Sequence, residues 1–366
     1  MGRVVLFSGQ PGDADEGLAL ESDGRPGRGR VMRRVLLDDW HEAPTHEIAA
    51  AAARAADSLS LTVGVASRQP PRRLRPLLDA LTFTLVGPDV DDDIRQLVRV
   101  PDPLKEYAAL AEAVGRRPRA AVALGQLLRA APPPSTATLP ALAAEAATYS
   151  MLLGGEEFAA WLATRSAPSR AADTDRPCLR LVRAGARLSL VLDRPERRNA
   201  FGARMREELY EALEVAAFDG TVERVELGGA GPVFCSGGDL AEFGQARDLV
   251  AAYLVRLDRA PWRLLDRLRD RVTVRVQGAA VGAGIEMAAF AGRVVAAPGA
   301  FFALPEVDMG LVPGAGGTVS VPRRIGRWRA AWMMMGGARV DAGTALRWGL
   351  VDAIEDDRAD TVTHEG

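Results

Sequence analysis

Three glycine-bearing segments in the C-terminal half of the chain each follow a predicted β-strand. Their sequences are FCSGGDL at 234–240, GAAVGAGIE at 278–286 and LPEVDMGLVPGAGGT at 304–318. A glycine-rich turn from a strand into a helix leaves backbone N–H groups free, and the helix dipole adds a partial positive charge. Such turns bind phosphates or stabilise an oxyanion, although a tight turn alone also explains each segment.

Two glutamates lie among apolar residues in the second and third of these segments. Glu286 falls in the first turn of an apolar helix, and Glu306 follows Pro305 inside an apolar stretch from 301 to 312. An acid with such neighbours is either paired for structural reasons or retained for proton transfer. The residues alone leave both uses open and favour the structural one.

The composition excludes several other kinds of chemistry. The 366 residues carry 46 basic and 48 acidic side chains, so nothing indicates nucleic acid as the main partner. Lys105 is the only lysine, which excludes the P-loop motif and lysine Schiff-base chemistry. Two cysteines cannot form a disulfide framework, and the three histidines lie near the chain ends, which argues against a Ser-His-Asp triad or a metal site.

The hydropathy pattern gives no sign of a membrane protein. There is no run of about 18 uncharged apolar residues, and the start of the chain lacks the basic and then apolar pattern of a signal peptide. We therefore expect a cytoplasmic protein that does not enter a membrane.

A change in composition divides the chain at residues 166–177, which are rich in Ser, Pro and Asp and are predicted to form a linker. We expect residues 1–30 to be disordered or loosely packed, and residues 31–165 to form a mainly helical domain with short strands at 59–65 and 81–86. Residues 178–355 alternate as strand, strand and helix, which is typical of an α/β domain, and residues 356–366 form a polar tail.

The three glycine-bearing segments, in this order and at these intervals, resemble the enoyl-CoA hydratase/isomerase (crotonase) superfamily. Two further segments match it, RPERRNA at 194–200 and ALRWGLV at 345–351, and the resemblance covers roughly residues 178–355. It implies a spiral of strand–strand–helix turns that binds an acyl-CoA thioester. The fold class expected is therefore α/β, with a crotonase-like ββα spiral preceded by a mainly helical N-terminal domain.

The resemblance also implies roles for individual residues. The two N–H groups of the family's oxyanion hole correspond to Gly238 and Ala283, and its pair of catalytic acids corresponds to Glu286 and Glu306. Gly314 matches the position whose backbone helps to hold the reacting water. The positions that line the CoA groove or order the loop beside it are Arg198, Ala200, Asp239 and Leu240.

This set of residues is suited to adding water to a 2-enoyl-CoA thioester, or to the reverse dehydration. Two N–H donors stabilise the negative charge that develops on the thioester oxygen. Two facing carboxyls with one proton between them could activate water, a task we assign to Glu286, and protonate C2, a task we assign to Glu306. No metal or redox cofactor is expected, since coenzyme A is part of the substrate.

Two other functions remain open. A double-bond isomerase would need only one of the two acids. A non-catalytic acyl-CoA-binding subunit is the other, because family members usually continue for several helices beyond the segment that matches 349–351, and those helices cover the site and build a trimer. Either the N-terminal half supplies this cover, or the CoA groove is more open, or the chain needs a partner. We expect a homo-oligomer, either trimer-based or assembled with a related subunit.

Overall fold

The computed structural model describes residues 31–130, 137–165 and 176–356. The N-terminal segment predicted to be disordered, and nearly all of the predicted linker and polar tail, lie outside these residues. Those three expectations therefore stay predictions.

The chain packs into two compact units. The first contains the described residues up to Thr164 and takes in two later segments, Pro305–Val312 and Ile325–Ala338. The second contains the remaining described residues. The division after Thr164 lies beside the predicted linker, but no sequence pattern indicated that two later segments pack with the N-terminal region.

The first unit contains a four-stranded parallel sheet. Its strands lie side by side in chain order and are β1 (Met32–Leu36), β2 (Leu61–Ala66), β3 (Phe83–Val86) and β4 (Leu97–Arg99). Every residue of β2 and β3 is buried. Continuous burial of this kind is typical of parallel strands that are covered on both faces.

Helices make up most of the first unit in the part of the chain that the structure describes. They are α1 (Thr45–Asp57), α2 (Arg75–Ala80), α3 (Pro103–Arg116), α4 (Pro118–Ala130), α5 (Thr138–Leu153) and α6 (Glu156–Ala163). α3 begins after Asp102, whose carboxylate accepts the N–H groups of Leu104 and Lys105 at 3.0 Å, as a helix N-cap does. Trp40, Ile48 and Leu77 belong to the apolar core of this unit.

The second unit contains two sheets. The larger has the spatial order β13, β10, β8, β7, β6, β5, with β5 antiparallel to β6 and the other neighbours parallel. Its strands are β5 (Leu179–Ala184), β6 (Arg187–Leu192), β7 (Arg224–Gly229), β8 (Val272–Val276), β10 (Arg293–Ala296) and β13 (Ala353–Ile354). The smaller sheet consists of β9 (Ala279–Val281), β11 (Phe301–Ala303) and β12 (Val340–Asp341).

Helices also lie along the described part of the second unit. They are α7 (Ala203–Phe218), α8 (Leu249–Asp258), α9 (Pro261–Arg267), α10 (Ala283–Ala288), α11 (Gly317–Gly336) and α12 (Ala342–Trp348). α11 is interrupted at Gly326, which has a φ of 82°, and the residues from Ile325 to Ala338 belong to the first unit. The repeated order β5-β6-α7, β8-β9-α10 and β10-β11-α11 confirms the predicted α/β fold of strand–strand–helix turns after a mainly helical N-terminal region.

Within residues 31–130, 137–165 and 176–356, none of the helices has both the length and the apolar character needed to cross a membrane.

Candidate active site

The first two glycine-bearing segments lie side by side in the second unit. The N–H of Cys235 donates to the carbonyl of Ala279 at 3.1 Å, and the N–H of Val281 donates to the carbonyl of Cys235 at 3.0 Å. Segment 234–239 therefore runs along β9 at the point where β9 turns through Gly282 into α10.

The backbone N–H of Gly238 is directed away from its paired neighbour. Phe201 donates its N–H to the carbonyl of Gly237 at 2.8 Å and accepts the N–H of Asp239 at 3.1 Å. In such a parallel bridge, Phe201 pairs with the residues on either side of Gly238, and Gly238 uses neither its own N–H nor its own carbonyl. Among the described residues, the bridge to Phe201 therefore does not occupy the N–H of Gly238.

Ala283 offers a second N–H group from the adjacent turn. It is the first residue of α10, and the N–H groups of a first helical turn have no acceptor within their own helix. Gly282 precedes it with a φ of 48°, in the region that favours glycine. A Cβ atom on Gly237 would lie 3.3 Å from the carbonyl oxygen of Val281, so the two turns are in close contact.

The carboxylate of Glu286 is buried and is held by the backbone of the third segment. Only 2% of Glu286 is exposed. Its Oε2 atom accepts the N–H groups of Ala315 at 2.7 Å and Gly317 at 2.9 Å, and its backbone carbonyl accepts the Ser320 hydroxyl at 2.7 Å. Two N–H donors on one oxygen form charge-assisted hydrogen bonds that are suited to an ionised carboxylate.

Glycine at 317 is required by this arrangement. A Cβ atom there would lie 2.6 Å from Cγ and 2.8 Å from Oε2 of Glu286. Gly314 belongs to the same loop, immediately before the first N–H donor, Ala315. Its backbone is therefore close to the Glu286 carboxylate, where the sequence analysis placed the holder of the reacting water.

The segment that matches the upstream motif has an unusual backbone. Arg198 and Asn199 both have a φ of 53°, in the left-handed region that residues other than glycine rarely adopt. The carbonyl of Arg198 accepts the N–H of Ser236 at 3.0 Å. This bond joins the motif to the segment that carries Gly238.

Asn199 is the residue that fixes this conformation, and the sequence analysis did not assign it a role. It is fully buried. Its Oδ1 accepts the N–H of Arg194 at 2.8 Å, and its Nδ2 donates to the carbonyls of Ala230 at 2.9 Å and Val233 at 2.8 Å. Asparagine tolerates the left-handed region better than most residues, which is a signal that the motif already contained.

The other residues predicted along the CoA groove differ in exposure. Asp239 is buried and has its Oδ2 3.5 Å from the guanidinium of Arg194 and 3.4 Å from that of Arg197. Ala200 is buried, whereas Leu240 lies at the surface with 37% of its area exposed. Their contact with coenzyme A stays a prediction.

Glu306 is the one predicted site residue that belongs to the first unit, while the other eight belong to the second. It begins a short 3-10 turn, Glu306–Met309, after Pro305. Its Oε2 atom is buried without a hydrogen-bond partner among the described residues. Burial raises the pKa of Glu306 to about 8, and the negative charge of Glu145 adds to this rise. A carboxyl with this pKa is protonated at neutral pH and can donate a proton.

The C-terminal half of the chain is similar in sequence to known proteins. The family model for enoyl-CoA hydratase/isomerase matches residues 186–365. The 1,2-epoxyphenylacetyl-CoA isomerase of Escherichia coli (strain K12) is 36% identical over 181 residues, which are 48% of this chain and 69% of that protein. This chain belongs to the enoyl-CoA hydratase/isomerase family. The family resemblance predicted from the sequence is thereby confirmed.

Other members of the enoyl-CoA hydratase/isomerase family are similar over the same region. The 2,3-dehydroadipyl-CoA hydratase of Escherichia coli (strain K12) is 36% identical over 169 residues, which are 46% of this chain and 65% of that protein. The chain therefore spans slightly less than two thirds of the length of that relative. A solved enoyl-CoA hydratase/isomerase from Mycobacterium paratuberculosis is 29% identical, with a TM-score of 0.47, over 51% of this chain and 75% of that one.

Proposed function

We propose that this family member adds water to a 2-enoyl-CoA thioester, or removes water from a 3-hydroxyacyl-CoA in the reverse direction. The observation that carries the proposal is the contrast between two buried glutamates. Glu286 accepts two backbone N–H hydrogen bonds, whereas the pKa of Glu306 is raised to about 8. Hydration needs one group that accepts a proton from water and one that donates a proton to carbon, and this pair meets both needs.

The N–H groups of Gly238 and Ala283 would bind the thioester carbonyl oxygen. Negative charge develops on that oxygen when water attacks C3, and preorganised N–H donors stabilise it. Removing one donor of this kind typically costs about 10²–10³ in rate. The adjacent positions of the two turns in the second unit support this role.

Glu286 would hold the water and take its proton as the C3–O bond forms, with the backbone of Gly314 beside it. Glu306 would give its own proton to C2, which completes the addition of the two parts of water across the double bond. In the dehydration direction the two carboxyls exchange these duties. The two carboxyls account for both proton transfers, so the proposed mechanism needs no metal or redox cofactor.

Coenzyme A enters as part of the substrate, along the groove that we assign to Arg198, Ala200, Asp239 and Leu240. The two Escherichia coli relatives described above both have coenzyme A thioesters in their names, which supports an acyl-CoA substrate. A cytoplasmic location and a homo-oligomer, trimer-based or formed with a related subunit, are part of the same proposal.

A double-bond isomerase is the second candidate. The 32% identity to an enoyl-CoA isomerase/hydratase of Mycosarcoma maydis, over 64% of that protein, favours it. An isomerase moves one proton between carbon atoms and needs a single carboxyl, so it gives no role to the hydrogen-bonded Glu286 carboxylate.

Turnover of crotonyl-CoA tests the proposal. Purified protein should remove the absorbance of the conjugated thioester, and Glu286→Gln and Glu306→Gln should each abolish this change. Glu223→Gln is a matched control, because Glu223 is an exposed carboxyl of the second unit. Activity that survives in Glu286→Gln would favour the isomerase, binding without turnover would favour a non-catalytic subunit, and a lack of binding would contradict the acyl-CoA assignment.

A further inference from the structure

The turn that carries Glu306 is short and depends on its neighbours for its position. It covers Glu306–Met309 and belongs to the first unit. Within this segment, the N–H of Gly310 donates to the carbonyl of Val307 at 2.9 Å, and the N–H of Leu311 donates to the carbonyl of Glu306 at 3.0 Å. The hydrogen bonds of a 3-10 turn have poorer geometry than those of an α-helix, and a single turn is not stable alone.

Two helices of the N-terminal region, α3 and α6, pack against this turn. A Cβ atom on Gly310, whose φ is 78°, would lie 2.7 Å from backbone atoms of both Glu157 and Phe158. The backbones of the turn and of α6 are therefore in direct contact. The Glu157 carboxylate accepts the N–H groups of Arg119 at 2.8 Å and Ala120 at 3.0 Å, which joins α6 to the first turn of α4.

Arg117 contributes a hydrogen bond from its side chain to the backbone of the Glu306 turn. Its Nε–H donates to the carbonyl of Asp308 at 3.0 Å. The carbonyls of Glu306 and Val307 accept N–H groups from the same segment, whereas the carbonyl of Asp308 accepts this one from the N-terminal region. A hydrogen bond with a charged donor is stronger than one between neutral groups.

The backbone and the guanidinium of Arg117 are themselves held in place. Arg117 lies between α3 and α4, where its N–H donates to the carbonyl of Val114 at 3.1 Å and its carbonyl accepts the N–H of Ala121 at 3.1 Å. Its Nη1–H donates to the carbonyl of Arg116 at 3.1 Å. The guanidinium therefore reaches the turn from a backbone that two helices fix.

We propose that Arg117 is a positioning residue for the catalytic acid: its guanidinium holds the turn so that the Glu306 carboxyl stays where it can deliver a proton to C2 of the substrate. This role rests on the proposed function, in which Glu306 is that acid. Misplacing a reacting group by about 1 Å can cost about 10² in rate, so a contact with its backbone can control the reaction. The N-terminal region, which lies outside the residues 186–365 that the family model matches, thereby takes part in catalysis.

The neighbouring Arg116 offers a matched control for Arg117. Its guanidinium lies 3.9 Å from the carboxylate of Asp308 and 3.3 Å from that of Glu112. Both contacts are between exposed side chains, and exposed ion pairs contribute little to stability. Removing this guanidinium takes an arginine from the same site in the fold but leaves the hydrogen bond to the backbone of the turn.

Steady-state kinetics with crotonyl-CoA and the full chain test the proposal. In Arg117→Met we expect kcat to fall about tenfold and KM to change by less than about twofold, because the residues assigned to the coenzyme A groove belong to the second unit. Arg117→Lys retains a charged donor and should recover part of the rate, whereas Arg116→Met should leave the rate unchanged. Equal kcat values in Arg117→Met and Arg116→Met would overturn the proposal.

Amide hydrogen exchange without any substrate separates this proposal from the proposed function. Peptides that cover residues 305–312 should exchange faster in Arg117→Met than in Arg116→Met, while peptides that cover β2 and β3 should exchange equally in both. This result supports the proposed positioning of Glu306, even where crotonyl-CoA turnover is absent and the hydratase assignment fails. Unchanged exchange in 305–312, or faster exchange throughout the first unit, overturns the proposal.

Discussion

At the scale of single residues, Glu286 and Glu306 show how different surroundings suit one side chain to opposite tasks. Two backbone N–H groups donate hydrogen bonds to the Glu286 carboxylate, whereas burial raises the pKa of Glu306 to about 8. Both acids were predicted from the sequence, but the sequence pattern gave no sign that their surroundings differ. The donors to Glu286 lie about thirty residues further along the chain, and Glu145 lies still further from Glu306 in sequence.

The raised pKa of Glu306 predicts how activity depends on pH. Hydration needs the proton on Glu306, and this proton is present below about pH 8 and lost above it. We therefore expect kcat/KM for crotonyl-CoA to be level near neutral pH and to fall about tenfold per pH unit well above 8. Initial rates between neutral and strongly alkaline pH measure this. A fall centred near the ordinary pKa of a glutamate would contradict the role of Glu306 as the acid.

Adding one methyl group at position 317 should displace the carboxylate of Glu286, the proposed base, without removing it. In Gly317→Ala, the new Cβ would overlap the Glu286 side chain and force the carboxylate away from its two N–H donors. We expect kcat to fall by about 10² while binding of acyl-CoA changes little, because a small displacement of a reacting group is costly to the rate. Gly299→Ala is the control, since a Cβ at 299 meets no atom within 4 Å. Equal kcat values in the two variants would argue against a catalytic role for Glu286.

At the scale of elements, the second unit was largely predictable and the sheet of the first unit was not. Strands predicted at 59–65 and 81–86 correspond to β2 and β3, which are buried along their whole length. β1 has the sequence MRRVL, and its two arginines interrupt the apolar pattern by which a strand is recognised. β4 has only three residues, too few to show a period. That the two short predicted strands belong to a parallel sheet follows from long-range pairing, which single-sequence patterns do not report.

The loop held by Asn199 is an element whose stability can be measured. Asn199→Asp keeps the oxygen that accepts the Arg194 N–H but loses the two donors to the partly buried carbonyls of Ala230 and Val233. We expect the free energy of unfolding to fall by about 1–3 kcal/mol, since each lost hydrogen bond costs about 0.5–1.5 kcal/mol. Denaturant titration measures this, with exposed Arg247→Ala as the control. A change within the error of the control would show that Asn199 does not hold the loop.

At the scale of the whole molecule, two segments of the region matched by the family model belong to the first unit. Pro305–Val312 brings Glu306, and Ile325–Ala338 brings the second half of α11. Trp332 of this half-helix donates its Nε1–H to the Glu106 carboxylate of α3 at 2.9 Å. The prediction of consecutive domains missed these two segments, because it was based on composition along the chain, which does not report contacts between residues far apart in sequence. The N-terminal region is therefore tied into the unit that carries the proposed acid.

Arg329 is expected to stabilise this returning helix within the first unit. It is 4% exposed, its Nε–H donates to the carbonyl of Leu97 at 3.3 Å, and its guanidinium lies 3.9 Å from the carboxylate of Asp92. Arg329→Met removes the donor to the buried carbonyl of Leu97, while the Asp92 carboxylate keeps Arg99 at 3.0 Å, so we expect a loss of about 1–3 kcal/mol in local stability. Faster amide hydrogen exchange in β4 would report it, with exposed Arg72→Met as the control. Exchange rates equal to those of the control would show that the buried arginine is not needed there.

The proposed hydration is tested most directly by the reaction of crotonyl-CoA with the full chain in water labelled with heavy oxygen, followed by mass analysis of the product. We expect one labelled oxygen at C3 of a 3-hydroxyacyl-CoA product, and no such product from Glu286→Gln or Glu306→Gln. Conversion of crotonyl-CoA without incorporation of the label, or incorporation that is unchanged in both variants, would contradict it.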